Sequence, residues 1–488
     1  MASTANSVSY PEKPFKPFSL IFFVELWERF GWYGMQAILI YFMIKVMGFP
    51  DDKADHIFGA FTALAYAFLS VGGYIGDKIL GTKRTVIVGA FVLALGYIVL
   101  AINPHEMLFW GLGIIITGNG IFKSNPSALV TKLFKSDDHR VESAFTMYYM
   151  AINVGSFIAS LSVPYIGKHY NWNIAFGISF VGLFIAIGAF VFLKSMVAEI
   201  GSAPDFEKPK FFDYIKVFAI ILFIIVISAC LLEHLVVAKA LLMVAIILIV
   251  VLCIRLLIKA ESSSERKNLA VALILIIEAI SFYVLYQQRA TSINLFTIRN
   301  TIHSVFGIPL DPLAFQSFNP FWILAASPIL AYFFNRSAKK GKSLPISYKF
   351  AFGMFLCSIG FLVLKFGAVF FANSEGKIAG EWLFLGIGLM SLGEIFIAGL
   401  GLAMIAQLVS HKIMGLMMGI WFMSTAVAMI LGGYVAAIAS IPKDVTDPLL
   451  TLPIYTSLFF KLGIATLIGS IIMALIAPLL NRHIATKN

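Results

Sequence analysis

Residues Phe18 to Met47 read FSLIFFVELWERFGWYGMQAILIYFMIKVM, an apolar run interrupted near its middle by Glu25, Glu28 and Arg29. About 20 apolar residues suffice to cross a hydrocarbon core as a helix. A charge at that depth costs several kcal/mol unless it meets a partner or faces the interior of a bundle. Glu25 and Arg29 stand one helical turn apart, Tyr33 extends the same stripe by another turn, and Glu28 flanks it. One structural ion pair would need a single acid. Two carboxylates sharing one cation in a low dielectric are not both comfortably ionised, so one of them is expected to carry a proton.

Outward from this stretch, further apolar runs recur at approximately 55–77, 84–103, 106–131, 142–166, 173–194, 213–233, 236–258, 267–290, 316–335, 348–372, 383–409, 412–439 and 456–481. With the first they make fourteen expected spans. Composition agrees: the chain has 488 residues, 60% hydrophobic and 12% charged, where a soluble domain carries about a quarter charged residues. The segment Met1 to Ser19 has prolines and lysines but no small-residue cleavage site, so it reads as a cytosolic tail, with the first span as insertion signal. A cytosolic N-terminus puts 24 Lys and Arg on the inner side. Only Lys45, Lys53, Lys168, Lys239, Arg299, Lys377 and Lys443 fall outside. The positive-inside rule then places both termini in the cytosol and accounts for the net charge of +11 without a nucleic-acid partner. Cys230, Cys253 and Cys357 lie within apolar runs and read as small core residues, not as a disulfide or metal set.

A weak internal repeat organises the spans. Ser70 to Arg84 (SVGGYIGDKILGTKR) can be laid beside Ser327 to Lys342, and Ser143 to Gly155 beside the stretch from Gly415, which pairs Tyr149 with Trp421. Two parallel six-helix halves with an inserted hairpin are the layout of the major facilitator superfamily. The expected fold is therefore an all-α membrane protein with 14 transmembrane helices: two six-helix bundles plus an inserted two-helix hairpin. The expected divisions are a tail at 1–17, an N-terminal bundle at 18–194, a linker with hairpin at 195–266, a C-terminal bundle at 267–481 and a tail at 482–488.

Counting 1.5 Å per residue along the fourth and first spans puts Lys123 within about 5 Å of the depth of Arg29. Glu394 stands near mid-depth of the twelfth span. One half thus offers fixed positive charge with titratable acids and the other a negative charge, a complement to a small zwitterion. Asn153 and Asn319, as mid-span amides, need hydrogen-bond partners. Tyr66, Tyr149 and Trp421 are compatible with either packing or a pocket wall. Glu278 and Lys365 stay open between structural and functional roles, Lys365 by snorkelling outward. Gly73, Asp77 and Gly81, followed by Lys83 and Arg84, suit a helix-end loop that packs two helices and breaks during gating.

Glu25-Leu26-Trp27-Glu28-Arg29-Phe30-Gly31-Trp32-Tyr33 resembles the ExxERFxYY signature of the proton-coupled oligopeptide transporter family, and Tyr148-Tyr149-x-x-Ile152-Asn153-x-Gly155-Ser156 resembles its second signature. GNGIFKSNP (118–126), FNPFWI (318–323) and SLGEIFIAGLGLAM (391–404) are similar too, so the likeness covers most of the chain and is closest to bacterial dipeptide and tripeptide permeases. The resemblance implies symport of dipeptides and tripeptides with protons, no cofactor, a monomer as working unit, and a bacterial inner membrane. It implies that Arg29 and Lys123 hold the peptide carboxylate and Glu394 its amino terminus, while Glu25 and Glu28 couple proton to peptide. Tyr33, Tyr66, Tyr149, Asn153, Gln287 and Asn319 would line the pocket, with Trp421 shaping a subsite. Two departures stand out. Trp32 replaces the first signature tyrosine, and Gln287-Gln288 stand where many members carry Glu-Gln, so proton coupling would rest on Glu25, Glu28, Glu394 or Glu278.

Against this stand another major facilitator symporter or exporter, for a sugar or a lipophilic drug, and a membrane enzyme. A sugar needs no fixed charge pair, and a lipophilic drug would not offset the desolvation of one. The eight histidines form no cluster of catalytic or metal spacing.

Overall fold

The computed structural model describes residues 14–134, 140–339, 344–398, 401–410, 413–442 and 445–484. The expected tail ends at 1–13 and 485–488 lie outside the described residues, as do Lys135, Lys340, Lys342, Lys412 and Lys443. Twelve helices among the described residues are long and apolar enough to cross a membrane. Two more complete the expected fourteen. The first helix, Phe15–Tyr41, carries the three charges at its centre. The fourth span runs as Leu108–Phe122 and, past Lys123, as Ser124–Thr131. Helix is the only open-ended conformation that satisfies every backbone donor and acceptor within lipid. The exception is a two-stranded hairpin pairing Ser304–Val305 with Ile308–Pro309, which follows the ninth span and was not foreseen from sequence.

The chain forms two compact units. One comprises Met1–Met35, Ala67–Ala159 and Ile166–Glu233, the other Gln36–Tyr66, Ser160–Tyr165 and His234–Asn488. In the first unit the leading hairpin helix, Phe211–Glu233, lies close on the fourth span: a Cβ at Gly113 would stand 3.0 Å from Ile225 O and 3.1 Å from Ala229 N. In the second unit the segment Gln36–Tyr66 is tied to later spans. Arg299 donates to both Asp51 carboxylate oxygens, at 2.6 and 2.9 Å, and to the Tyr455 hydroxyl at 2.7 Å.

Each unit contains the same helix pair, closed by glycines two turns apart. In the first, Gly89 and Gly96 of Thr82–Ile102 face Gly111 and Gly118 of the fourth span, so close that a Cβ at Gly96 would stand 3.1 Å from Gly111 O. In the second, Gly353 and Gly360 of Ile346–Phe370 face Gly386 and Gly393 of Gly380–Ile397. There a Cβ at Gly393 would stand 2.5 Å from Gly353 O and one at Gly360 2.8 Å from Gly386 O. Helices in lipid gain by van der Waals packing at close approach, which small residues permit. This shared pattern marks the internal repeat more sharply than the segments that suggested it from sequence.

Candidate functional site

Glu25, Glu28 and Arg29 are buried, at 1%, 0% and 1% exposure. The Arg29 guanidinium donates from Nη2 to Glu28 Oε1 at 2.6 Å and from Nε to Glu28 Oε2, a two-pronged grip. Its Nε also lies 3.5 Å from Glu25 Oε1, and its Nη2 donates to Asn119 Oδ1 at 3.2 Å. Lys123, half-buried, adds its electrostatic interaction with Arg29, Glu28 and Glu25. The Tyr148 hydroxyl donates to the Glu25 carboxylate, while Glu25 Oε2 has no hydrogen-bond partner among the described residues. The site thus gathers two acids and two bases in one largely buried cluster. The second signature positions part of it. Gly155, two turns beyond Tyr148, lets the fifth span, Arg140–His169, meet the first helix backbone to backbone, for a Cβ there would stand 2.4 Å from Leu26 O.

The second unit holds a different cluster. Glu394, 7% exposed, accepts from Arg289 Nη1 at 3.0 Å and from Asn319 Nδ2 at 2.8 Å. Asn319 Nδ2 also lies 2.8 Å from Ser391 Oγ, and the Arg289 guanidinium sits 3.9 Å from the centre of the Tyr286 ring. Arg289 was missed from sequence because it ends an apolar run and reads as a boundary residue. The glycine repeat is the signal that could have found it. The residue after the second glycine of each pair is Asn119 in one unit and Glu394 in the other, and each meets an arginine, Arg29 or Arg289.

Other expected site residues fall as follows. Asn153 is buried and donates to Tyr149 O at 2.9 Å, and Tyr33, Tyr66 and Tyr149 are half-buried. Trp421 is buried edge-on to Tyr283 at 6.2 Å. Gln287 is buried, and its Nε2 donates to Thr62 Oγ1 at 2.9 Å, while Gln288 Nε2 donates to Gly432 O at 3.0 Å. Lys365 sits 3.7 Å from the Phe460 ring centre.

Of the expected gating residues, Lys83 and Arg84 are engaged with the linker, and Asp77 is exposed beside Lys132. Gly81, at φ +92°, turns the chain into Thr82–Ile102 in a conformation that side chains rarely adopt. Asp205 accepts from Lys83 N at 3.1 Å, and Ser202 Oγ accepts from Thr82 N at 3.0 Å and donates to Gly76 O at 2.6 Å. Arg84 donates to Pro204 O at 2.8 Å and Glu207 O at 2.9 Å, and Lys83 Nζ to Ala198 O at 3.1 Å. Lys132 Nζ donates to Thr82 Oγ1 at 3.0 Å. Burial lowers its ammonium below the ordinary lysine range, opposed by the Asp77 and Asp205 carboxylates.

Fourteen spans among the described residues, a repeated glycine-closed pair and charge clusters buried between the helices define a secondary carrier of the major facilitator fold. The family model described as the POT family matches residues 83–450, and this chain belongs to that family. The dipeptide and tripeptide permease A of Pectobacterium carotovorum subsp. carotovorum is 44% identical over 469 residues, covering 96% of this chain and 92% of that protein. The dipeptide and tripeptide permease A of Salmonella typhi is 45% identical over 473 residues, covering 96% and 93%. Among solved structures, a bacterial homologue of the human drug peptide transporters PepT1 and PepT2 matches with TM-score 0.86 and 37% identity over 96% of this chain and 99% of that one. Tetrameric PepTSo2 matches with TM-score 0.87 and 38% identity over 96% and 99%.

Proposed function

We infer that this transporter imports dipeptides and tripeptides together with protons by alternating access. The observation that carries the coupling is the pair of acids at Arg29. One guanidinium grips Glu28 with two donors, and Glu25 keeps an oxygen with no hydrogen-bond partner in a buried setting. A peptide carboxylate drawn to Arg29 and Lys123 competes with Glu28 for the same donors. Glu28 or Glu25 then takes a proton when the carboxylate binds, because an unpaired buried charge is costly, and proton and peptide enter together. Glu394 receives the peptide ammonium in exchange for part of its contact with Arg289. Tyr33, Tyr66, Tyr149, Asn153 and Asn319 supply hydrogen bonds along the peptide backbone, Gln287 supports Thr62 behind them, and Trp421 shapes a side-chain subsite.

Both charge clusters come from one chain, which supports a monomer as the transporting unit. The distribution of Lys and Arg supports cytosolic termini and a bacterial inner membrane. Rocking of 18–194 against 267–481 supplies the access change, with the Asp77, Lys83 and Arg84 loop near its cytosolic gate.

Liposome uptake under an imposed pH gradient, with peptides of one to four residues as competitors, tests this reading. Each residue adds at most about 3.5 Å of reach, so dipeptides and tripeptides should inhibit strongly, and single amino acids and tetrapeptides weakly. Competition by sugars, or uptake indifferent to the gradient, would overturn it.

A further inference from the structure

Glu278 lies in the ninth span, Ser263–Gln287, eleven residues before Arg289. It is 6% exposed, and neither carboxylate oxygen has a hydrogen-bond partner among the described residues. It forms part of the wall of a cavity of about 480 Å³ within the second unit. The remaining wall is mostly apolar, including Ile277, Met354 and Leu431, with Ser281 and Thr466 as its only hydroxyls. A volume of this size suits a drug-sized ligand, and ligand sites are typically apolar with a few placed polar groups. Ile277 is 64% exposed, so one wall of the cavity is open at a face of a membrane-spanning helix. Glu278 stands eleven residues past Lys267, the last charged residue before it, about 16 Å along the helix. That is near the middle of a hydrocarbon core of about 30 Å, beyond the reach of a lipid headgroup ammonium.

A lone carboxyl in such a wall has one good complement, a cation that brings its own apolar body. We propose that this cavity binds a lipophilic primary or secondary amine, with the ammonium against Glu278 and the hydrocarbon against the apolar wall, as a site separate from the peptide pocket. An amine arriving through lipid as the free base takes the carboxyl proton onto its nitrogen, and ammonium and carboxylate remain as a pair. No other reactant is needed.

The experiment uses the full chain in phosphatidylcholine nanodiscs, with n-octylamine as probe and n-octanol as its uncharged match. Binding is read by calorimetric titration and by the shift in thermal unfolding. Octylamine should bind saturably and octanol at least tenfold more weakly. Glu278→Gln should weaken octylamine at least tenfold and leave octanol unchanged. Gly469→Phe fills the cavity while sparing Glu278, because a Cβ at Gly469 meets no atom within 4 Å. This variant should lose octylamine binding yet retain dipeptide counterflow, which also reports that it is folded. Equal octylamine affinity in wild type and Gly469→Phe, or octanol binding as tightly as octylamine, would overturn the proposal. Adding phosphatidylethanolamine to the nanodiscs should leave the octylamine affinity unchanged; competition by it would assign the site to a headgroup instead.

Discussion

The arginine of the first helix and the arginine just past the ninth-span helix each meet the residue after the second glycine of a repeated pair, yet their surroundings differ in kind. Arg29 meets two carboxylates and a neutral amide, Asn119. At the position where the repeat carries Asn119, the other unit carries Glu394, and Arg289 meets that one carboxylate, itself also held by Asn319. The first cluster sets two carboxylates against Arg29 with Lys123 beside them, the arrangement to which the proposed function assigns proton exchange. The second is one carboxylate held by one guanidinium and one amide, the arrangement to which the proposed function assigns the peptide ammonium. A repeated glycine-closed helix pair thus carries two different charge arrangements.

The sharpest way to break this comparison is Glu28→Gln. If Glu28 takes part in coupling, uphill dipeptide accumulation in liposomes falls to background while counterflow exchange persists, since exchange needs no net proton movement. Continued accumulation against a gradient would remove the titrating role. Glu394→Gln should leave accumulation measurable and instead raise the concentration of peptide needed.

A second test probes the Arg289 and Glu394 pair through stability. Arg289→Met strands the Glu394 carboxylate, and breaking a buried pair by removing one partner costs about 3–5 kcal/mol. The double variant Arg289→Met/Glu394→Gln removes both charges and should recover more than half of that loss in unfolding experiments. Equal destabilisation in both would show that Glu394 is not dependent on Arg289.

The smallest effect calibrates both clusters against a cation outside them. Lys132 is depressed by burial, so protonating it is harder in the folded state than in the unfolded chain. Its contribution to stability therefore improves as pH rises from that lowered value toward the ordinary 10.5. Lys132→Met should flatten this alkaline rise and otherwise change stability by within about 0.5 kcal/mol. An unchanged slope would show that Lys132 titrates normally.

The fourteen helices were legible because lipid forces long apolar runs, and the Glu25, Glu28 and Arg29 cluster was legible because one helix carries it within five residues. Arg289 was not, since its partner Glu394 is 105 positions away and the pair exists only once three spans pack. Lys83 and Arg84 were visible as basic residues at a helix end. Their partners, however, are backbone carbonyls of the linker, and a carbonyl carries no sequence signature. Gln287 shows the same limit: the sequence marks an amide where an acid is common, and the structure gives it the hydroxyl of Thr62.

The linker contacts also bear on how the chain is made. Residues 202–207 supply Ser202 and Asp205 to the start of the third span, and Phe211–Glu233 covers Gly113 of the fourth. A nascent chain that has released only its first six spans is therefore still missing the partners of Thr82, Lys83 and Arg84. Those contacts can be complete only once the chain has reached about Glu233 and not Lys194, which sets where a translational pause would let the start of the third span meet its partners.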